Sequence, residues 1–135
     1  MIPSVVDTVR QRIEPVVQQP SGLEGTYVVD LADSAENRRT RVGGRWVVTF
    51  RPDGVMEITA PDTYPHPRTG QAYRVDGDEL RTDALVDSAG CQAAGMFVGT
   101  YRWARNDTIL RFVLVSDSCP ARVALFSGQD WEVVS

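Results

Sequence analysis

The chain has 135 residues, of which 42% are hydrophobic and 24% charged, which is the size and composition of one ordinary globular domain. Its net charge of -4 at neutral pH opposes contact with a phosphate backbone, so we expect no nucleic-acid partner. The sequence shows neither a signal-peptide pattern nor an apolar stretch near the ~20 residues of a membrane span, so we expect a soluble, cytoplasmic protein without a membrane partner.

Residues 1–22 predict a short amphipathic helix followed by a linker. Four apolar residues recur there at helical spacing, namely Val5, Val6, Val9 and Ile13. Ser4 can cap the helix, and Pro15 should end it near Glu14. A helix this short is marginal in water by itself, so we expect it to dock as a lid over the mouth of a barrel.

Residues 23–135 predict an all-β domain, because short alternating runs are separated by turn residues. The predicted strands cover residues 24–31, 45–51, 55–60, 71–76, 79–84, 96–104, 109–116 and 121–127, with a short ninth strand at 131–134. The charged run at 36–41 is expected to be a solvated loop.

The turns predict an up-and-down topology. Residues 51–54 fit a hairpin turn with a bulge at Gly54, and Gly77 and residues 105–107 supply two more turns. Consecutive hairpins make neighbouring strands antiparallel, and an eight-stranded meander removes its exposed edges by closing on itself. We therefore predict an up-and-down antiparallel barrel whose interior has room for one small ligand.

The first turn also predicts which side chains point inward. A bulge at Gly54 places Phe50 opposite Met56, Val48 opposite Ile58, and Trp46 opposite Ala60. The strands at 96–104 and 109–116 present a second apolar face, which consists of Phe97, Tyr101, Trp103, Leu110, Phe112 and Leu114. Gly99 leaves a gap among these large side chains.

Two parts of the chain resemble lipocalins. The run Leu23-Glu24-Gly25-Thr26-Tyr27 is similar to the Gly-x-Trp signature that opens those proteins, with Tyr27 at the tryptophan position. The runs at 99–103, 110–112 and 117–122, together with Trp131, resemble a pattern shared by small actinobacterial lipocalin-like proteins. In lipocalins an arginine on a late strand packs over the first-strand tryptophan, and the resemblance implies that Arg122 packs over Tyr27.

A helix in front of such a barrel is also similar to the spirotetramate and spirotetronate cyclases of polyketide biosynthesis. That resemblance implies a cofactor-independent pericyclase, which folds a linear polyketide inside the barrel and accelerates an intramolecular [4+2] cycloaddition. The resemblance is one of architecture, and no catalytic residue can be transferred by motif.

The residues themselves support chemistry without a metal or cofactor. Hydrolase, phosphate-binding and zinc motifs are missing, and His66 is the single histidine. A cycloaddition needs a cavity that holds the substrate in its reactive conformation and a hydrogen-bond donor that polarises it. The candidate donors are Gln71, Tyr73 and Tyr101. The expected ligand-binding walls are Trp46, Phe50, Met56, Phe97, Trp103 and Phe112, although such alternating aromatics also form barrel cores.

Three functions remain open at this stage: a cyclase acting on a hydrophobic small molecule, a non-catalytic carrier of an apolar ligand, and a barrel filled by its own side chains. The oligomeric state is open between monomer and homodimer. Cys91 and Cys119 flank the hairpin that ends at Ser116, so a bridge between them is geometrically possible. In a reducing cytoplasm we expect free thiols instead.

Overall fold

A computed structural model describes residues 13–32, 34–40, 42–64, 68–84 and 98–134. It is a closed antiparallel barrel of eight strands in chain order, in which the last strand pairs with the first. The strands are β1 (Gly25–Leu31), β2 (Gly44–Phe50), β3 (Val55–Thr59), β4 (Arg68–Asp76), β5 (Glu79–Ala84), β6 (Val98–Arg105), β7 (Ile109–Ser116) and β8 (Trp131–Val133). Two short helices, α1 (Ala35–Thr40) and α2 (Pro120–Phe126), complete the described fold. The predicted up-and-down β-barrel is confirmed.

The register between β2 and β3 agrees with the prediction from the turn. Phe50 lies opposite Met56, and Val48 lies opposite Ile58. Gly54 has a φ of 86°, a left-handed conformation that favours glycine, so the turn closes as its sequence suggests. All four paired side chains are buried in the barrel.

The segment predicted as a strand at 121–127 is a helix, and that prediction was wrong. Pro120 occupies the first turn of α2, where its missing N–H costs nothing. Arg122, Leu125 and Phe126 then share one buried face at helical spacing. The charged run at 36–41 was also predicted incorrectly as loop, because α1 covers residues 35–40.

Most of the predicted N-terminal helix lies outside the described residues, and its last two residues, Ile13 and Glu14, are not helical. The Ile13 N–H donates to Asp83 Oδ2 at 2.7 Å, and the Gln18 N–H donates to the Pro52 carbonyl at 2.8 Å. A Cβ at Gly54 would lie 2.2 Å from the Val16 carbonyl oxygen. Residues 13–18 therefore form a strap on the outside of the barrel wall.

Tyr27 marks the closed end of the barrel, where β1 begins and β6 turns into β7. Its hydroxyl donates to the Leu23 carbonyl at 2.7 Å. Arg105 lies over the Tyr27 ring, 5.4 Å from guanidinium carbon to ring centroid, and donates to the Tyr27 hydroxyl at 2.8 Å. The expectation that Arg122 packs over Tyr27 is wrong, because α2 holds Arg122 at the opposite end, which we call the mouth.

Candidate functional site

A cluster of aromatic rings fills the described interior beside β7 and β8. The Phe112 ring centroid lies 4.9 Å from Trp131 and 4.8 Å from Phe126. Phe50 joins the cluster at 6.3 Å from Trp131 and 5.1 Å from Tyr73. Rings at these separations leave little space between them, so this part of the barrel is solid.

A buried ion pair lies inside the mouth. Arg122 on α2 donates through Nε to Asp117 Oδ2 at 2.6 Å and through Nη2 to Asp117 Oδ1 at 2.9 Å. The Tyr101 hydroxyl on β6 also donates to Asp117 Oδ2, and the Cys119 N–H donates to Oδ1 at 2.9 Å. The Asp117 and Arg122 side chains are 0% and 4% exposed, so the pair is shielded from water. Its hydrogen bonds offset the desolvation of both charges.

Gly99 makes room for this pair. A Cβ at Gly99 would lie 2.5 Å from Asp117 Oδ2 and 2.9 Å from Arg122 Nε. The gap that Gly99 was expected to leave in the interior is therefore occupied by charged side chains from the segment after β7.

The Tyr101 hydroxyl is held in its neutral form. Burial raises its pKa well above the usual tyrosine value, and the negative charge of Asp117 raises it further. The hydroxyl therefore keeps its proton at physiological pH and acts as a hydrogen-bond donor.

The three predicted donors do not form one group. Gln71 on β4 is buried and accepts a hydrogen bond from the Thr82 hydroxyl on β5. Tyr73 points to the other end, where its hydroxyl donates to the Arg51 carbonyl in the β2–β3 turn. Burial raises the Tyr73 pKa as well, with a smaller contribution from Glu24. Gln71 and Tyr101 are thus on the mouth side of the interior, and Tyr73 is not.

The predicted wall residues are mainly core. Four of them are less than 5% exposed, namely Trp46, Phe50, Met56 and Phe112. The Trp46 indole donates to the Val42 carbonyl at 2.8 Å, so its polar group is engaged within the fold. Trp103 is half-buried at the closed end, and Phe97 lies outside the described residues. Their roles as ligand walls stay predictions.

A groove of about 500 Å³ lies outside the aromatic cluster, between α1 and α2 at the mouth. Helix α2 supplies its apolar side, which consists of Pro120, Val123 and Ala124. Asn37 on α1 faces them, with Asp117 and Ser118 at one edge. The groove therefore joins an apolar surface to a polar rim.

Ser127 and Gln129 complete the groove at the end of α2. Gln129 Nε2 donates to the Ala124 carbonyl at 2.6 Å and also to the Leu125 carbonyl. The Ser127 hydroxyl oxygen is buried and has no hydrogen-bond partner among the described residues. Buried polar atoms are usually paired, so this hydroxyl is an unsatisfied group beside the groove.

Sequence reasoning missed Asp117 and the groove. The run Asp117-Ser118-Cys119-Pro120-Ala121-Arg122 was singled out, but only for its resemblance to a family pattern. Pro120 was the signal for a helix start, and a helix there puts Arg122 within reach of Asp117.

Cys119 is disulfide-bonded, so the expectation of a free thiol at this position is wrong. Cys91 is the other cysteine of the sequence. Within the described residues, no three His, Cys, Asp or Glu side chains come together as metal ligands. None of the described helices has the length and apolar character required to cross a membrane.

Comparisons with family models, with curated proteins and with solved structures find no match to this chain. The class that the fold itself defines is a small closed antiparallel β-barrel with a helix at its mouth.

Proposed function

We propose that this protein binds an amphipathic small molecule in the groove between α1 and α2 and acts as a non-catalytic carrier. The supporting observation is the groove itself, whose volume of about 500 Å³ joins an apolar helix face to polar side chains. Ligand pockets typically enclose ~300–1,000 Å³ and combine these two kinds of surface.

The packing of the barrel favours the groove over the aromatic part of the interior. Phe50, Phe112 and Trp131 fill that part with ring contacts and are each less than 5% exposed. A ligand there would have to displace core side chains, which loses their burial energy. The groove requires no such displacement.

The hydrogen bonds of the polar side chains inside the barrel favour a carrier over an enzyme. The Tyr101 hydroxyl donates to Asp117, Gln71 accepts from Thr82, and the Tyr73 hydroxyl donates to a backbone carbonyl. A donor that polarises a substrate carbonyl must be free to point at it. The two tyrosine hydroxyls are instead committed as donors within the fold, and Gln71 is held there through its amide oxygen.

The second candidate is the [4+2] cyclase acting on a linear polyketide, and one observation favours it. The protonated Tyr101 hydroxyl lies on the mouth side of the barrel, and it would act on a substrate by exchanging its partner Asp117, a residue that also lines the groove. Holding a diene and dienophile in register supplies up to about 7–11 kcal/mol toward such a reaction. Incubation with a linear polyene tetramate or tetronate separates the two: turnover to a cyclised product supports the cyclase, and stoichiometric binding without product supports the carrier.

The carrier proposal is tested by titrating the protein with decanol in a Trp46→Phe/Trp103→Phe background and following the fluorescence of Trp131, which packs 5.0 Å from Phe126 at the end of α2. We expect saturable one-to-one binding. Ala124→Phe fills the groove and should abolish binding, whereas Ala104→Phe, on the outer face of β6, should not. Equal binding by both folded variants, or no saturable binding by the natural chain, would reject the groove as the site.

The cytoplasmic location stays a prediction. The bridged Cys119 fits an oxidising compartment better than a reducing one. Trapping the thiols in the producing cells before lysis tests it: alkylated cysteines would support the cytoplasm, and a protected disulfide would argue against it.

A further inference from the structure

We propose, on the basis of the function proposed above, that the groove selects an uncharged ligand whose hydroxyl or carbonyl group hydrogen-bonds to Ser127, and that it discriminates against carboxylates.

Ser127 is placed for this role by the end of α2. Its N–H donates to the Val123 carbonyl at 2.9 Å, which fixes the backbone, and the residue lines the groove. Its hydroxyl oxygen is buried without a partner among the described residues. Serine has a single heavy-atom torsion with three staggered positions, so a rotation can bring the hydroxyl into the groove. A ligand group that pairs with it removes an unsatisfied polar atom.

Among the described residues, the lining of the groove holds no cation for an anionic ligand. Asp117 also lines it, but the Asp117 carboxylate is 0% exposed and paired with Arg122. Arg122, the nearest described cation to Asp117, is 4% exposed and donates to the carboxylate from inside the barrel. A ligand carboxylate would therefore lose water without gaining a cation, in a chain whose net charge is already -4.

The apolar side of the groove matches an alkyl chain. Pro120, Val123 and Ala124 form one side of the groove. The Gln129 amide nitrogen is committed to carbonyls at the end of α2. Ser127 is therefore the described lining residue whose buried polar atom lacks a partner, and it is the group that we expect to pair with the polar end of a ligand.

The test compares decanol, decanamide and decanoate at pH 7.5, since the three share one alkyl chain. We expect decanol and decanamide to bind the natural chain about tenfold more tightly than decanoate, because only the carboxylate carries a charge. Ser127→Ala should weaken decanol binding about five- to tenfold. Ser118→Ala is the matched control, because Ser118 lines the same groove but is exposed, and it should change affinity by less than about twofold.

Decanoate binding as tightly as decanol would overturn the inference, and so would equal affinities of the Ser127→Ala and Ser118→Ala variants. In both cases the proposed carrier function would survive, because binding itself is observed. If none of the three probes binds, the carrier function and this inference fall together.

Discussion

The guanidinium of Arg122 meets the carboxylate of Asp117 through two hydrogen bonds, of 2.6 and 2.9 Å, inside the mouth of the barrel. Asp117 follows β7, and Arg122 lies in the first turn of α2. The pair therefore ties the helix to the end of the strand that precedes it. The Tyr101 hydroxyl extends the same network to β6.

Asp117→Asn should destabilise the protein by about 3–5 kcal/mol, because it leaves the Arg122 charge buried without its counter-ion. The free energy of unfolding in urea measures this. Asp30→Asn is the matched control, since Asp30 forms an exposed ion pair with Arg45 and should cost less than about 1 kcal/mol. Equal losses in the two variants would show that the buried pair does not stabilise the mouth.

Gly99→Ala should destabilise more than Gly77→Ala. At Gly99 an added Cβ would press on Asp117 Oδ2 and Arg122 Nε, both of which are held in place by the ion pair. At Gly77 no atom lies within 4 Å, and the cost is the strain of a φ of 61°, about 1–2 kcal/mol. Urea denaturation of both variants checks the order, and a larger loss at Gly77 would contradict it.

Glu24 should make stability depend on acid pH. Burial by itself raises the pKa of Glu24, but hydrogen bonds from its own N–H, from Ser21 and from Gly22 outweigh this and hold the pKa below its usual value of 4.5. When the pKa of a carboxyl is lower in the folded protein than in the unfolded chain, ionisation of that carboxyl stabilises the fold. This contribution is fully present above the unfolded pKa and is lost as the pH falls through the folded pKa.

The natural chain should therefore exceed Glu24→Gln in stability at pH 7, and the difference should shrink below the usual pKa of 4.5. Thermal unfolding across that range measures it. Ser21→Ala removes only one donor, the hydroxyl that lies 3.0 Å from Oε1, and should show a smaller version of the same trend. A pH-independent difference would contradict the assignment.

Reduction of the disulfide at Cys119 should lower stability by about 2–4 kcal/mol, since the bond restricts the unfolded chain. The measurement compares urea midpoints with and without dithiothreitol. A Cys91→Ser/Cys119→Ser double variant is the control and should not respond to the reductant. The prediction fails if the natural chain is equally insensitive, or if its intact mass corresponds to two free thiols.

The strands around Gly54 could be predicted from the sequence alone. Alternation with a period of two places Val48, Phe50, Met56 and Ile58 on one face, and the glycine turn sets their register. These signals are local, because they depend on residues a few positions apart. They were sufficient for the barrel and for much of its core.

The role of Arg122 was decided by the tertiary structure. Residues 121–127 alternate well enough to suggest a strand. In the helix that they form instead, Phe126 stacks on Tyr101 at 4.7 Å and packs against Phe112 and Trp131. Tyr101 and Phe112 are distant from Phe126 in sequence, so no local pattern reveals these contacts. The same packing directs Arg122 to Asp117 rather than to Tyr27.

The sequence by itself therefore determined a closed antiparallel barrel and most of its inward face, because strand alternation and turn chemistry are local properties of the chain. Only the tertiary structure decided that aromatic rings fill part of the interior, that Asp117 and Arg122 pair above Gly99, and that a groove lies between α1 and α2. These features depend on which distant side chains meet when the barrel closes.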